Sequence, residues 1–212
     1  MNPVYVNSKI TGGHYAFQTE GSKKPFENPM SIYSKIKLNN MDIIADIGAY
    51  VGEYSLFAIK NGVKHVFSYE PTPETFKVLE MNKKENMTIF NKAVVGDDKE
   101  FVELFISKGI GVTNSIVKTH RKKESFKVPT IKYEDAVKDA TIVKIDVEGA
   151  EYDYKIIQPQ LRAIILEFHP LVKEPWKEYA EKIMNEIESA GYNRIVKPNF
   201  KSGWNLTGCW SK

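Results

Sequence analysis

The sequence has little cysteine, little arginine and no long apolar segment, and each shortage excludes a class of protein. The single cysteine, Cys209, excludes an internal disulfide and any zinc site built from several cysteines. The longest stretches free of Asp, Glu, Lys and Arg are ten residues each, Ile10–Thr19 and Ser202–Ser211. A membrane-spanning helix needs about 20 apolar residues, so we expect no membrane span. The first residues, MNPVYVNSKI, lack the pattern of a signal peptide, and we therefore expect a cytoplasmic protein.

Positive charge is in slight excess, with a net charge of +3, but lysine carries almost all of it. Of the 30 basic residues, the arginines are Arg121, Arg162 and Arg194. Lysine lacks the planar fork that binds phosphates and guanine edges, so the composition argues against a dedicated nucleic-acid binder. The densest basic run, Lys118–Lys123, keeps one alternative open, which is a tether for RNA or DNA.

The pattern of apolar residues predicts one α/β domain. The 212 residues are 42% hydrophobic and 27% charged, which is enough for a single compact core. Strand-like runs alternate with segments of helical spacing, and this predicts a mostly parallel sheet covered by helices on both faces. We assign residues 41–212 to this domain, with a final strand near its end. Residues 1–40 are expected to form an N-terminal extension, a hairpin or lid plus a short helix.

The strongest motif is a glycine turn between a predicted strand and a predicted helix, Asp46-Ile-Gly48-Ala-Tyr-Val-Gly52. Glycine lets the chain turn sharply and lets a ligand approach the backbone. Ligands of open α/β sheets bind at the carboxyl ends of the strands, where this turn lies. The spacing is not the dinucleotide fingerprint, because Tyr50 and Glu53 stand where that motif needs glycine. The turn therefore suits a nucleoside that carries no pyrophosphate.

Glu70 ends the next predicted strand, 22 residues beyond Gly48. An acid about 20 residues after the first glycine typically binds ribose hydroxyls. A carboxylate can accept hydrogen bonds from the 2′- and 3′-hydroxyls together. A solvent-exposed glutamate at a strand end is the plainer interpretation, but the upstream turn favours the ribose ligand.

Three acids crowd the corner that follows a strand in the second half, in Lys144-Ile-Asp146-Val-Glu148-Gly-Ala-Glu151. Acids near a helix start can simply complement the helix dipole, which would explain Glu148 and Glu151. Asp146 is different, because it follows an apolar strand and should lie at the ligand-binding edge of the sheet. His169 closes the next predicted strand and should face the same crevice. These four residues are the candidate catalytic groups.

Five segments taken together resemble the FkbM family of S-adenosylmethionine-dependent methyltransferases: DIGAYVGEYSLFA, YEPTPETFKVLEMN, NKAVVGDD, KIDVEGAEYD and ILEFHP. The resemblance covers about residues 40–170. It implies the Rossmann-like class I methyltransferase fold, a mostly parallel seven-stranded sheet with one antiparallel strand. It also implies S-adenosylmethionine as cofactor, S-adenosylhomocysteine as product, and methylation, usually of an oxygen, on a sugar-containing or natural-product acceptor.

The resemblance also implies roles for single residues. The glycine turn would wrap the methionine part of the cofactor, through Asp46, Gly48, Ala49, Tyr50 and Gly52. Glu70 would bind the ribose, the backbone at Ala93 would border the adenine, and Asp97 or Asp98 would reach its amino group. Asp146 takes the place nearest the transferred methyl group.

The main functional hypothesis is methylation of a hydroxyl on a small-molecule or glycan acceptor. Asp146 would act as base or orienting group, with Glu148, Glu151 and His169 as helpers. These side chains could instead hold a divalent metal ion, but we expect a metal-free site. Two alternatives are an RNA or DNA methyltransferase that uses Lys118–Lys123 and a non-catalytic cofactor-binding subunit. Oligomeric state is left open.

Overall fold

The computed structural model describes residues 4–8, 13–17, 32–106, 114–117, 124–170, 175–200 and 206–212, the first two ranges as backbone only. Strands and helices alternate along most of these residues. The strands are β1 (Val4–Ser8), β2 (Gly13–Phe17), β3 (Ile43–Ile47), β4 (His65–Tyr69), β5 (Met87–Phe90), β6 (Ala93–Val95), β7 (Phe101–Ile106), β8 (Glu124–Lys132), β9 (Ile142–Ile145), β10 (Ala163–Glu167), β11 (Asn193–Val196) and β12 (Thr207–Ser211). The helices are α1 (Glu53–Lys60), α2 (Pro73–Asn82), α3 (Tyr133–Val137) and α4 (Trp176–Ser189), with a 3₁₀ turn at Ala150–Asp153.

Seven strands form the main sheet in the order β11-β12-β10-β9-β3-β4-β5. The pairs among β3, β4, β5, β9 and β10 are parallel, whereas β12 runs antiparallel to both β10 and β11. The prediction of a mostly parallel seven-stranded sheet with one antiparallel strand is confirmed. Strand order reverses between β3 and β9, and a crevice is expected at such a reversal.

The central strands are apolar because helices cover both faces of the sheet. In β9, Val143 and Ile145 enter the hydrophobic cluster that contains α3 and α4 residues, whereas Ile142 enters the cluster with α1 and α2. Side chains of a strand alternate between faces, so Lys144 points to the same face as Ile142. It lies in register with Asp46 on β3, and the two form a buried charged pair.

A second, three-stranded sheet has the order β6-β8-β7, with β6 parallel and β7 antiparallel to β8. The alternation of polar and apolar residues in segments 101–106 and 126–131 predicts two such strands. The segment Met87–Val95 predicts one strand, but the structure has two there: β5 joins the main sheet and β6 the small one. The segment Glu151–Ile157 predicts a short helix, but the structure has a 3₁₀ turn, where the Glu151 side chain accepts hydrogen bonds from the backbone amides of Gly149 and His169.

In the N-terminal segment, β1 and β2 pair antiparallel in a two-stranded sheet. Tyr33, also in the predicted extension, packs into the cluster with α1 and α2, so this part of the extension belongs to the core. The division of the chain at residue 40 stays a prediction. None of the helices in the described ranges has the length and apolar character needed to cross a membrane.

Candidate active site

A cavity of ≈ 200 Å³ lies at the carboxyl ends of β3, β4, β9 and β10, beside the reversal of strand order. Its walls include six residues that the sequence singled out: Gly48, Tyr50, Glu70, Ala93, Asp146 and Glu148. These residues come from four separate segments of the chain. The fold therefore brings the predicted cofactor motifs and part of the predicted catalytic group to one place.

The turn at Gly48 packs directly against the end of β9. The backbone amides of Gly48 and Ala49 both donate to the Tyr69 carbonyl oxygen, at 3.0 and 2.9 Å. Gly48 has a φ of +76°, and a Cβ on it would lie 1.8 Å from the Asp146 carbonyl oxygen. Only glycine satisfies both the backbone conformation and this close approach.

Three of the predicted turn residues support the turn and do not line the cavity: Asp46, Ala49 and Gly52. Asp46 is fully buried, and its Oδ2 accepts a 2.6 Å hydrogen bond from Ser55 Oγ. Gly52, at a φ of +92°, precedes α1, where a Cβ would come within 2.7 Å of Leu79 Cδ1. Their contribution to the site is the shape of the turn.

Glu70 is 7% exposed, and its carboxylate is held by two backbone amides. Oε2 accepts from the Tyr50 amide at 3.0 Å, and Oε1 accepts from the Thr72 amide at 2.8 Å. Each oxygen has a second lone pair for another donor. Burial raises the pKa of Glu70 to about 7, and the hydrogen bonds from Thr72 and Tyr50 oppose that rise. The group is a fixed acceptor at the cavity wall, which fits a ribose diol.

We expect cofactor affinity to fall as the pH drops below about 7. Ribose hydroxyls donate to the ionised form of Glu70, and the raised pKa means that this form is lost near neutrality. Calorimetric titration with S-adenosylhomocysteine between about pH 5.5 and 8 measures the effect, with a limiting slope of about tenfold per pH unit. Glu70→Gln, which cannot ionise, should bind more weakly and without this slope. If the affinity of Glu70→Gln still depends on pH in this way, another group is responsible for the pH dependence.

At the predicted adenine end, Ala93 lines the cavity, but Asp97 and Asp98 do not. Asp97 lies past the end of β6 and pairs with Lys99 at 2.6 Å. Asp98 pairs with Lys132 at 3.0 Å, and both aspartates are exposed. Both carboxylates therefore lie outside the lining of this cavity, and a contact of either with the adenine amino group stays a prediction.

Glu151 is fully buried and holds His169. Its Oε1 accepts from the His169 amide at 2.7 Å and lies 3.2 Å from the ring Nδ1, while Oε2 accepts from the Gly149 amide at 2.8 Å. Glu151 therefore reaches the site only through the imidazole that it orients, although the sequence analysis placed it among the catalytic helpers.

His169 lies between two further carboxylates. Its Nε2 is 3.6 Å from Asp146 Oδ1 and 3.6 Å from Glu148 Oε1. Burial lowers the pKa of His169, but Glu151 and the other two carboxylates raise it by more, well above the usual 6.5. A charged imidazole cannot accept a proton at neutral pH, so His169 is placed to stabilise the carboxylates. The ligand atoms of Asp146, Glu148 and His169 also lie within 4.8 Å of one another, a spacing that could hold a divalent ion if the imidazole gave up its proton.

Two further charged groups at this site, Lys144 and Glu167, have no predicted role. Lys144, 4% exposed, donates from Nζ to the Gly48 carbonyl oxygen at 2.7 Å. Glu167 lines the cavity at the end of β10 and accepts a 3.3 Å hydrogen bond from the Tyr33 hydroxyl. Burial, aided by the charge of Asp146, raises the pKa of Glu167 to about 7. The sequence contained one signal for Lys144, because a lysine inside an apolar strand is unusual. It contained no signal for the contact between Tyr33 and Glu167, which lie 134 residues apart.

The strand order, the single antiparallel strand and the glycine turn followed by a strand-end acid define a class I S-adenosylmethionine-dependent methyltransferase. Residues 46–194 match the domain model described as methyltransferase FkbM domain. The chain belongs to the FkbM methyltransferase family, and the resemblance identified from its motifs is confirmed. The sequence matches no curated protein at a significant level.

Several solved structures of low sequence identity have a similar fold. Precorrin-6y C5,15-methyltransferase from Geobacter metallireducens is 16% identical, with 93% of this chain and 94% of that chain covered and a TM-score of 0.51. TYW2 of P. horikoshii, in complex with MeSAdo, is 12% identical, with coverage of 98% and 69% and a TM-score of 0.49. An rRNA methylase from Streptococcus thermophilus is 8% identical, with coverage of 89% and 95% and a TM-score of 0.49. The first of these supports the fold assignment and nothing further.

Proposed function

We propose that the protein transfers the methyl group of S-adenosylmethionine to a hydroxyl oxygen of a sugar-containing or small natural-product acceptor. The observation that carries the proposal is Asp146, which lines the same cavity as Gly48 and Glu70. A carboxylate at this place can bind the acceptor hydroxyl beside the cofactor. Glu148 and Glu167 line the cavity beside Asp146, and these acidic side chains disfavour a phosphate next to them, while the lining also contains one lysine, Lys92.

The cavity residues fit the cofactor, which supplies an electrophilic methyl group when bound. Glu70 would accept hydrogen bonds from the ribose, the turn at Gly48 and Tyr50 would contact the methionine part, and Ala93 would border the adenine. The fixed carboxylate of Glu70 is the structural support for the ribose role. A preformed site of this kind does not need to reorganise its acceptors on binding.

The acceptor side needs a proton acceptor, because an aliphatic hydroxyl is a poor nucleophile. In the proposed reaction, Asp146 orients the hydroxyl and takes its proton as the oxygen attacks. Lys144 lies 3.5 Å from Asp146 Oδ2 and His169 lies 3.6 Å from Oδ1, so the carboxylate is fixed at both oxygens. Glu151 contributes by orienting His169. Alignment of the hydroxyl with the methyl group supplies much of the remaining rate.

Binding of S-adenosylmethionine and S-adenosylhomocysteine in calorimetry is the first test, and no heat or thermal shift with either ligand would overturn the proposal. Transfer of labelled methyl groups to a panel of glycosides, nucleotide sugars and RNA is the second. Methylation of neutral glycosides supports the proposal. Methylation of RNA with steep salt dependence would instead favour a nucleic-acid substrate bound through Lys118–Lys123, which lies outside the described residues. Binding without turnover on any acceptor would favour the non-catalytic subunit.

Replacing Glu70 by Ala should weaken S-adenosylhomocysteine binding by about 1–3 kcal/mol, the range for hydrogen bonds to a charged group. Calorimetry on the variant measures this loss, and Glu74→Ala, an exposed acid on α2, is the matched control. An analogue that lacks the 2′- and 3′-hydroxyls should bind the wild type and Glu70→Ala with the same affinity. If Glu70→Ala instead weakens binding of the analogue as much as it weakens binding of S-adenosylhomocysteine, the ribose role is contradicted.

A further inference from the structure

Lys144 is a buried cation at the centre of the main sheet, in register with Asp46 on the neighbouring strand. A buried ammonium is stable only when oxygen atoms surround it. Its Nζ donates to the Gly48 carbonyl oxygen at 2.7 Å, lies 3.3 Å from Asp46 Oδ1 and lies 3.5 Å from Asp146 Oδ2. The three oxygens belong to a supporting residue and to two residues of the cavity wall.

Neutralisation of Asp46 accounts for only one of these contacts. Asp46 is fully buried and needs a cation, which Lys144 supplies. The other two contacts join the cofactor turn on β3 to the carboxylate that follows β9. Gly48 and Asp146 also touch through their backbones, since a Cβ on Gly48 would strike the Asp146 carbonyl. One side chain therefore connects the two halves of the cavity at the point where they already meet.

We propose that Lys144 is a positioning residue that holds the Gly48 carbonyl and the Asp146 carboxylate in a fixed relation. The inference rests on the proposed function, because it takes Gly48 as part of the cofactor turn and Asp146 as the acceptor-side group. Its ammonium fixes the turn before the cofactor binds and keeps Asp146 oriented toward the transferred methyl group. Such preorganisation raises affinity and rate together.

The test must separate this role from simple charge neutralisation. Lys144→Met alone leaves Asp46 buried without its cation and is expected to fold poorly. Asp46→Asn with Lys144→Met removes both buried charges, while Asp46→Asn alone keeps the lysine. A comparison of the double variant with Asp46→Asn isolates the contacts that Lys144 makes to Gly48 and Asp146. Circular dichroism and thermal melting check that both variants are folded.

The expected result is S-adenosylhomocysteine binding about tenfold or more weaker in the double variant than in Asp46→Asn, at similar melting temperatures. With an acceptor found by the panel, kcat at saturating cofactor should also fall, because Asp146 has lost its fixed orientation. Equal affinity in the two folded proteins would overturn the proposal and leave Lys144 with Asp46 alone. If the KM for the cofactor rises while kcat is unchanged, Lys144 does not position Asp146, and that part of the proposal is wrong.

The wild-type protein offers a second measurement that needs no variant. A buried, hydrogen-bonded ammonium exchanges its protons slowly, so ¹⁵N spectra of the lysine side chains should show a protected signal for Lys144. That signal should shift when S-adenosylhomocysteine is added, and a signal that stays in place would contradict the contact with the cofactor turn. If the wild type binds no cofactor at all, the proposed function fails instead. The two failures are therefore distinguishable.

Discussion

Gly48→Val is expected to abolish binding of S-adenosylhomocysteine. A Cβ at this position would lie 1.8 Å from the Asp146 carbonyl oxygen and 2.9 Å from its carbon, so the turn or the end of β9 must move. Both line the cavity, and valine also opposes a φ of +76°. Calorimetry should detect no binding at about 100 times the wild-type Kd, which corresponds to a loss of at least about 2.7 kcal/mol. The melting temperature should fall, while the circular dichroism spectrum keeps its sheet and helix signal.

Gly62 provides the matched control for this substitution. Its φ of +79° is nearly that of Gly48, but a Cβ there meets nothing within 4 Å. Gly48→Ala and Gly62→Ala therefore impose the same backbone strain, and only the first adds a collision. Gly62→Ala should bind the cofactor like the wild type. Normal binding by the Gly48 variants would mean that this turn is not the cofactor loop.

Asp146→Asn should lower turnover by about 10²–10⁴, the usual contribution of general-base catalysis, and leave cofactor affinity within a few-fold. The amide keeps the size of the side chain but cannot take a proton. Methyl transfer to the acceptor selected by the panel measures the rate, and calorimetry measures the affinity. Asp135→Asn, at an exposed aspartate on α3, is the control and should leave both unchanged. A wild-type rate in Asp146→Asn would remove this residue from the mechanism.

Chelator treatment of the wild type separates the two uses of Asp146. If Asp146 takes the proton directly, the rate should be insensitive to chelator. If Asp146, Glu148 and His169 hold a divalent ion that activates the hydroxyl, chelator should stop the reaction and Mg²⁺ or Mn²⁺ should restore it. Both outcomes keep Asp146 in the reaction but assign it different chemistry.

The fold was predictable because its signals are local. Apolar runs such as Thr141–Ile145 and Arg162–Phe168 mark buried parallel strands, and the spacing of Gly48 and Glu70 marks the first two strand ends. Side-chain contacts that form only in the folded structure were not predictable in the same way. Glu151 sits in the acidic motif but turns inward to His169, and Asp97 follows its motif but turns outward to Lys99. His169 lies 18 residues from Glu151 in sequence but 3.2 Å from it in the fold, and Lys99 binds Asp97 at the surface.

Two residues at the cavity, Tyr50 and Glu148, have left-handed backbone with φ of 52° and 53°, although neither is glycine. This conformation costs a side-chain-bearing residue about 1–2 kcal/mol, which glycine would not lose. Glycine would relieve this cost, but it would also remove the Tyr50 side chain, which packs against the cluster with α1 and α2, and the Glu148 carboxylate beside His169. The strain is therefore tied to two side chains at the cavity wall. Stabilising design of this protein should consequently begin elsewhere, since glycine at these positions would remove both side chains.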